Sequence, residues 1–311
     1  MADRFLSLLD ITNRNGTDSA VGLVEAVTTF APELSDIYGR PIAGTTYKTR
    51  VRQTLPAIAP FRNASEGSNI ISSSYTQQLS QCFIVDGQMQ VDKAVAESPE
   101  EGGAAELLSD EAIGVTKALA LGIGSQFYYG TNSSSKGFNG LASIVDSTMT
   151  VNAGGTGNNT TSVYLIYNDI QGVHFIFGNN TGLQLGEWTM QQVSDANSKK
   201  YFAYVNSLTG WLGLSVNNPL HTVCRIKNIT AANPLTDALL AKAYSLFPIG
   251  LKPNKILLNR DANYYLQNAR SAVTQQAFKL GAVADYPTNS PSIPGVGFTL
   301  TDSIVTDEVA A

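Results

Sequence analysis

The residues of this chain that are best suited to chemistry are few and scattered. His174 and His221 are its two histidines, and neither stands in an HExxH spacing or near a cysteine pair, as a zinc site would require. His174 alternates with Val173 and Phe175 in a strand pattern, which favours a structural role. A Ser-His-Asp triad stays open as an alternative, but no Gly-x-Ser-x-Gly segment supports it. The sequence therefore predicts no catalytic residue and no metal ligand.

Two further features have both a chemical and a structural interpretation. Residues 154–157 (GGTG) resemble a phosphate-binding loop in glycine count, but they lack the Gly-Lys-Ser/Thr ending, which favours a plain turn. Cys82 and Cys224 lie far apart in the sequence and are flanked by apolar residues, which predicts two buried thiols rather than a disulfide and fits a reducing cytoplasm. We expect no cofactor.

The composition favours a protein whose surface contacts other protein. Charged residues make up 14% of the 311-residue chain, against roughly 25% in typical domains. Such a surface suits burial against neighbouring subunits, although it also suits a secreted β-rich protein. The formal net charge of −5 argues against a dedicated nucleic-acid binder, which usually carries a basic excess.

No targeting or membrane-spanning segment is expected. The N-terminus lacks the long apolar stretch and the small-residue cleavage site of a secretory signal. The longest apolar runs, such as residues 163–167 and 255–258, fall far below the ~20 residues of a membrane-spanning helix. The sequence therefore predicts a protein that is made and kept in the cytoplasm and has no membrane partner.

The first 82 residues predict an arm followed by a hairpin, and neither can form a core of its own. In the arm, residues 1–44, one helix signal covers residues 21–30. Residues 45–82 predict a hairpin whose first strand places its basic side chains on one face and whose second strand is rich in Ser, Thr and Gln. Because a two-stranded ribbon is at best marginally stable in water, this hairpin is either mobile in the monomer or lies along a neighbour.

The middle of the chain, residues 83–229, predicts a domain with a long helix. Apolar residues recur at spacings of three and four over residues 105–128, after an acidic first turn. A strand pattern precedes this helix at residues 83–92. Residues 162–178 predict a β-hairpin, and residues 201–229 predict a second pair of strands.

The pattern changes at about residue 230. Residues 230–290 predict a compact α/β insertion with helices at residues 235–247 and 260–271 and a short buried strand between them. Residues 291–311 are expected to return a final strand to the first domain. The fold class is therefore α+β.

The charge pattern divides the hairpin from the region that follows it. Residues 37–65 contain five basic side chains and no acidic one, whereas residues 86–111 contain eight acidic side chains and one lysine. One interpretation is two solvated faces of unrelated elements. The other is that the basic hairpin of one subunit lies across the acidic region of the next, so that charge complementarity sets register and partner choice. The candidate contact residues are then Lys48, Arg50, Arg52, Arg62, Glu97, Glu100, Glu101 and Glu106.

The order of these elements resembles the major capsid proteins of tailed bacteriophages, and the resemblance covers nearly the whole chain. Each motif alone is weak, and their order and spacing together carry the likeness. The similar stretches are residues 61–67, 127–131, 137–142, 161–167, 182–184, 218–228 and 252–260.

The resemblance implies a Hong Kong 97-type capsid fold with an N-terminal arm, an extended E-loop hairpin, a peripheral domain with a spine helix, and an inserted axial domain. It also implies hexamers and pentamers that close into an icosahedral shell around double-stranded DNA, bound without sequence specificity. The expected partners are copies of the chain, a portal protein, and in some members scaffolding and cement or decoration proteins. The protein would then be a virion component that is assembled in the host bacterial cytoplasm, and not an enzyme.

Two alternatives remain at this point. An encapsulin-type nanocompartment shell protein has the same fold and would carry a groove for a cargo peptide on its arm helix. A secreted β-rich binding protein would share the richness in Asn, Ser and Gly, but the missing signal peptide and the predicted helices speak against it.

Overall fold

The computed structural model describes residues 29–56, 61–65, 67, 70–99, 103–132, 136–195, 197–274 and 296–310. The arm helix expected at residues 21–30 therefore lies almost wholly outside the described residues. The helices are α1 (Glu33–Asp36), α2 (Lys93–Ala96), α3 (Gly103–Tyr129), α4 (Leu141–Ile144), α5 (Pro219–Thr222), α6 (Asp237–Ser245) and α7 (Arg260–Thr274). The strands are β1 (Gly39–Pro41), β2 (Thr46–Thr54), β3 (Ser74–Gln81), β4 (Phe83–Asp92), β5 (Thr150–Asn152), β6 (Thr161–Ile166), β7 (Val173–Phe177), β8 (Gln184–Leu185), β9 (Thr189–Ser194), β10 (Lys200–Val216), β11 (Val223–Ile229), β12 (Lys255–Leu258) and β13 (Gly297–Leu300).

Among the described residues, the strands form two large sheets and one ribbon. The six-stranded sheet is organised around the 17-residue strand β10, which pairs antiparallel with β4 along one edge and with β9, β8 and β7 in turn along the other. The five-stranded sheet has the order β13-β12-β6-β11-β5. Strands β2 and β3 pair only with each other and form the ribbon.

Helix α3 covers one face of the six-stranded sheet and confirms the helix predicted at residues 105–128. Its first turns contact Val91 and Val95, and its last turns place Phe127 and Tyr128, both fully buried, in the main core. Four residues of the stripe that predicted the helix are buried, as expected for apolar residues on one side of a helix with 3.6 residues per turn: Leu108, Ala112, Ile123 and Phe127.

The five-stranded sheet is buried on both faces, which explains the continuous apolar run of β6. Val163 and Leu165 pack with Leu240 and Leu266 of α6 and α7, whereas Tyr164 belongs to the core that also contains the end of α3. Every residue of β6 is buried. A strand between two packed layers loses the apolar–polar alternation of a half-exposed strand.

Both hairpins predicted between residues 162 and 229 are wrong, although the strands themselves are present. β6 lies in the five-stranded sheet and β7 in the six-stranded sheet, and β10 and β11 are divided in the same way. The chain therefore crosses between the sheets after β6 and again after β10. A strand pattern indicates a strand but not its partner, and here each sheet takes its partners from distant segments.

The sheet division also differs from the predicted domain boundaries. The α/β unit does not begin at residue 230, because β5, β6 and β11 share its sheet. The strand expected to return to the first domain over residues 291–311 is β13, which instead pairs in parallel with β12 in the five-stranded sheet. Strands β6 and β12 are buried, so the backbone amides and carbonyls on both of their edges need hydrogen-bonding partners. Strand β13 pairs along one edge of β12 for this reason.

The ends of the described chain meet beside α3. The backbones of Phe30 and Asp302 are hydrogen-bonded to each other, with Asp302 N donating to Phe30 O at 2.9 Å, and Lys255 forms an ion pair with Asp36. Within the described residues, no helix is both long enough and apolar enough to cross a membrane.

Candidate functional site

The described residues of the ribbon contact their own subunit at its base. Thr49 donates a hydrogen bond to Asn217 Oδ1 at 3.0 Å. Gln78 donates to the Val216 carbonyl at 2.5 Å and accepts from the Asn218 amide at 3.2 Å. None of the residues in β2 or β3 is buried. At the base, Tyr47 packs against a small buried cluster that includes Cys82 and Ile176, but no residue of either strand is itself buried in the core.

The outer face of the ribbon carries the three predicted cations. Lys48, Arg50 and Arg52 are exposed on alternate positions of β2, opposite Leu79, Gln77 and Tyr75 of β3. The guanidinium of Arg52 lies 5.4 Å from the Tyr75 ring centroid, a cation–π contact. Among the described residues none of the three cations forms an ion pair. This face presents positive charge and apolar surface side by side.

The end of the ribbon is apolar. Leu55, Phe61, Ile70 and Ile71 are all exposed there, and Phe61 is 91% exposed. Arg62 is also exposed and stands beside Phe61 in the sequence. Exposed apolar clusters of this kind mark surfaces that are covered by another protein.

The acidic surface lies around the start of α3. Glu97 follows α2 and pairs with Lys93 at 3.8 Å, and Glu106 is exposed in the first turn of α3. The hydroxyl of Tyr204 in β10 donates to Glu97 at 3.5 Å. Glu100 and Glu101 lie outside the described residues. Negative charge is favourable near a helix N-terminus, which accounts for Glu106 in the first turn of α3.

Within one subunit the basic and acidic surfaces lie at opposite ends of β10. The base of the ribbon contacts residues 215–218, whereas Glu97 contacts Tyr204. The extended chain between Tyr204 and Ser215 covers about 35 Å at roughly 3.3 Å per residue. The proposed pairing of the two surfaces is therefore a contact between two subunits, and it stays a prediction.

The histidines and cysteines form no chemical site among the described residues. His174 is fully buried beneath the base of the ribbon, 5.5 Å from the Tyr47 ring, and burial together with the charge of Arg40 lowers its pKa to about 4. Both thiols are free and buried, as predicted, and burial raises the pKa of Cys82 to about 11. No group of three potential metal ligands occurs in the described part of the chain.

A comparison with known protein families identifies the family to which this chain belongs. Residues 15–310 match the family described as major capsid protein GP7, which is nearly the whole chain. The chain belongs to this family of major capsid proteins. It is therefore a structural component of a phage head that assembles with copies of itself, and not an enzyme. This outcome supports the capsid interpretation over the nanocompartment shell and the secreted binding protein.

Solved structures show which fold this capsid protein has. The capsid structure of bacteriophage Epsilon15 is similar over 100% of this chain and 98% of its own, with a TM-score of 0.71 and 19% identity. A structure of Mycobacterium phage Adephagia covers 72% of this chain and 98% of its own (TM-score 0.49, 10% identity). The SrpI encapsulin complex of Synechococcus elongatus covers 73% and 96% (0.48, 9%). A search of curated proteins found no match. The capsid protein has the Hong Kong 97-type fold, which belongs to the α+β class.

The sequence did not indicate two exposed apolar residues near the acidic surface of this capsid protein. Met190 in β9 and Phe202 in β10 are each 54% exposed on the hairpin that these strands form. Neither stands in a run or spacing that distinguishes it from an inward-facing strand residue.

Proposed function

We propose that this capsid protein forms hexamers and pentamers that close into an icosahedral head around double-stranded DNA, with the ribbon of each subunit lying over an adjacent subunit. The observation that carries the proposal is the ribbon itself, whose two strands contain no buried residue and whose outer face is basic and apolar. An isolated ribbon of this kind gains stability only when a neighbour covers it.

The domain names of the family fit the described elements with revised boundaries. We assign residues 45–82 to the E-loop, and the six-stranded sheet with α3 to the peripheral domain and its spine helix. The five-stranded sheet with α6 and α7 then forms the axial domain, and the segment up to residue 44 forms the N-terminal arm. This assignment rests on the sheet pairing rather than on the order of the chain.

The proposed contact joins the basic face of the ribbon to the acidic surface of the neighbour. In the described part of the chain Lys48, Arg50 and Arg52 form no ion pair, and Glu97 is exposed on the surface that would receive them. Charge complementarity of this kind steers association and fixes register more than it raises affinity. Arg62, Glu100, Glu101 and Glu106 belong to the same proposal through their position in the sequence.

Other partners follow from the role in a head. We propose a portal protein at one vertex, with scaffolding and cement or decoration proteins where the head requires them. The packaged DNA would be held without sequence specificity, because the chain carries a net charge of −5 and no basic excess.

Electron microscopy of the purified, concentrated protein tests the assembly. We expect closed shells, tubes or stable hexamers. A compact monomer that persists at every protein concentration and ionic strength would contradict the proposal.

Charge reversal tests the contact. In Arg50→Glu with Arg52→Glu, like charges would face each other across the interface, which costs several kcal/mol in comparable interfaces. We expect a folded subunit that needs at least about tenfold more protein to assemble. Arg50→Lys with Arg52→Lys keeps the charge and should assemble. If the Glu variant assembles like the wild type, the ribbon does not pair with an acidic surface.

Carbodiimide cross-linking of assembled particles identifies the acidic partner directly. This reagent joins an amine to a carboxylate in contact, so mixed ¹⁴N and ¹⁵N subunits should yield a cross-link between Lys48 of one subunit and Glu97 or Glu106 of another. The Lys93–Glu97 pair within a subunit, 3.8 Å apart, is the internal positive control. Lys48→Arg should assemble normally and lose only the cross-link between subunits.

A further inference from the structure

A fully buried histidine lies where the ribbon joins its own subunit. The ring of Tyr47 in β2 packs edge-on against the imidazole of His174 in β7, with 5.5 Å between the two ring centroids, and the Tyr38 ring lies 6.4 Å away. Neither ring nitrogen of His174 forms a hydrogen bond with the described residues. Buried polar groups without a partner are rare in folded proteins, so this histidine requires an explanation.

The contacts that attach the ribbon converge on the same place. Ser215 of β10 is paired directly with His174, and its hydroxyl lies 3.4 Å from that of Ser80 in β3. Asn217 accepts a hydrogen bond from Thr49 of β2 and donates one to a backbone carbonyl in the loop before β7, both at 3.0 Å. The attachment of the ribbon therefore depends on residues that stand next to His174 in the sheet.

The surroundings of His174 oppose a second positive charge there. The Arg40 guanidinium of β1 donates to the Tyr47 hydroxyl at 3.2 Å and lies 5.5 Å from the centroid of the Tyr47 ring. Burial and then the charge of Arg40 lower the pKa of His174 to about 4, although the backbone of the loop before β7 and the Asp169 carboxylate act in the opposite direction. The other titratable groups against the imidazole are the two tyrosine phenols.

We propose that protonation of His174 releases the base of the ribbon from its own subunit. The neutral imidazole can stay dry beneath Tyr47, whereas an imidazolium at the same position would be a buried cation without a hydrogen bond, close to Arg40. Lifting the base gives that cation access to water. The joint lies within one subunit, so this inference goes beyond the proposed assembly and does not depend on it.

The direction of the pH dependence follows from proton binding. Under the attached ribbon the pKa of His174 is about 4, and once the base has lifted, the ring titrates near its ordinary pKa of 6.5. The lifted form binds more protons, so attachment is strongest above pH 6.5 and weakens roughly tenfold per pH unit as pH falls toward 4. Between pH 7 and pH 5 the population with a lifted base should rise about twentyfold.

A cysteine under the ribbon base reports its release. Cys82 is buried in the cluster against which Tyr47 packs, so a lifted base exposes its thiol. Cys224 is buried in the five-stranded sheet, away from the ribbon, and its thiol reports unfolding of the subunit instead. The measurement is the rate at which each thiol of the unassembled subunit reacts with a dipyridyl disulfide, relative to a small model thiol at the same pH.

In the wild type we expect the relative rate at Cys82 to rise about twentyfold from pH 7 to pH 5, while Cys224 stays unreactive. His174→Phe keeps an aromatic ring and His174→Gln keeps a polar side chain, but neither titrates, so the relative rate at Cys82 should no longer depend on pH. His221→Gln changes the exposed histidine and should keep the wild-type profile.

Three results would overturn the inference. The first is a flat wild-type profile, and the second is a rise at Cys82 that persists in whichever His174 variant folds. The third is a parallel rise at Cys224, because acid then unfolds the subunit instead of releasing the ribbon. If neither variant folds, proton NMR of the wild type decides: the His174 ring must gain its proton over the pH range in which Cys82 becomes fully reactive, and a ring that stays neutral there contradicts the inference as well.

Discussion

Glu33 is a carboxylic acid at the base of the N-terminal arm, and the fold buries it almost completely. The hydroxyls of Thr301 and Ser303 both donate to its carboxyl oxygens. Gly124 of α3 provides the space, because a Cβ at that position would stand 2.1 Å from the Ser303 hydroxyl. Burial raises the pKa of Glu33, and these hydrogen bonds oppose the rise. The acid therefore connects the arm, the long helix and the C-terminal segment.

The raised pKa of Glu33 makes stability depend on pH in a defined direction. The folded subunit holds this proton more tightly than the unfolded chain, so the stabilisation is complete below the ordinary pKa of 4.5 and is lost as pH rises through the raised value. We expect Glu33→Gln to unfold at higher urea concentration than the wild type at about pH 8, and this advantage to shrink toward the ordinary pKa. Urea unfolding of the unassembled subunit measures it.

An exposed carboxylate provides the control for Glu33. Glu187→Gln removes a charge from the surface and should change the free energy of unfolding by no more than about 0.5 kcal/mol. A constant difference between Glu33→Gln and the wild type at every pH would show that the acid does not titrate in this range. The sequence could not indicate this group, because its hydroxyl partners stand 268 and 270 residues away. The exposed cations of β2, by contrast, follow from simple alternation.

Helices and strands that follow from the periodicity of their own residues could be predicted from the sequence. The pairing of a strand with a distant segment could not. Helix α3 follows from the spacing of its apolar residues, because one side of it is covered by a sheet, and the exposed cations of β2 follow from the two-residue alternation of a strand. The partners of β6 and β10 could not be predicted, since every residue of β6 is buried and both sheets would accept it. The exposure of Met190 and Phe202 could not be predicted for a related reason, because a strand residue on an uncovered sheet face stands in the same sequence pattern as one on a covered face.

The C-terminal segment is fixed to the five-stranded sheet by a second buried acid. Glu308 accepts hydrogen bonds from Ser162 at 2.5 Å and Tyr129 at 2.6 Å and pairs with Arg225 at 3.0 Å. Its backbone also forms a bridge with Thr160. Strands β6 and β11, the end of α3 and the chain terminus therefore meet at one carboxylate.

Removing only the charge of Glu308 should destabilise this junction. In Glu308→Gln the Arg225 cation, which is 17% exposed, loses its partner, and leaving a buried charge uncompensated costs about 3 kcal/mol. Thermal unfolding of the unassembled subunit measures the loss. Glu308→Gln combined with Arg225→Met removes the orphaned charge and should recover part of the stability. Equal losses in the single and the double variant would show that the pair is not coupled.

At the scale of the whole molecule, the two sheets and α3 form a core that is complete without the ribbon. The apolar clusters draw on both sheets, and Tyr164 and Leu257 of the five-stranded sheet share a cluster with Phe127 of α3. As far as the structure describes the ribbon, it contacts this body through its base. Folding and assembly therefore use different parts of the chain: the core determines the subunit, and the ribbon, with its basic face and apolar end, is left for a neighbour.

This division predicts that the ribbon can be shortened without unfolding the subunit. Thr49 and Gln78 are directly paired, so residues 50–77 can be replaced by Asn-Gly, which closes two antiparallel strands in a two-residue turn. The base contacts of Thr49 and Gln78 remain. We expect a free energy of unfolding within about 1 kcal/mol of the wild type, as for surface changes in general, and no shells by electron microscopy.

The shortened chain should also interfere with wild-type assembly, because it keeps a receiving surface but has no ribbon to offer the next subunit. Adding it in equal amount to the wild type should cap growing rings and lower the yield of shells. A shortened chain that unfolds would instead show that the ribbon belongs to the core of its own subunit, and a shortened chain that still forms shells would show that other contacts hold the head together.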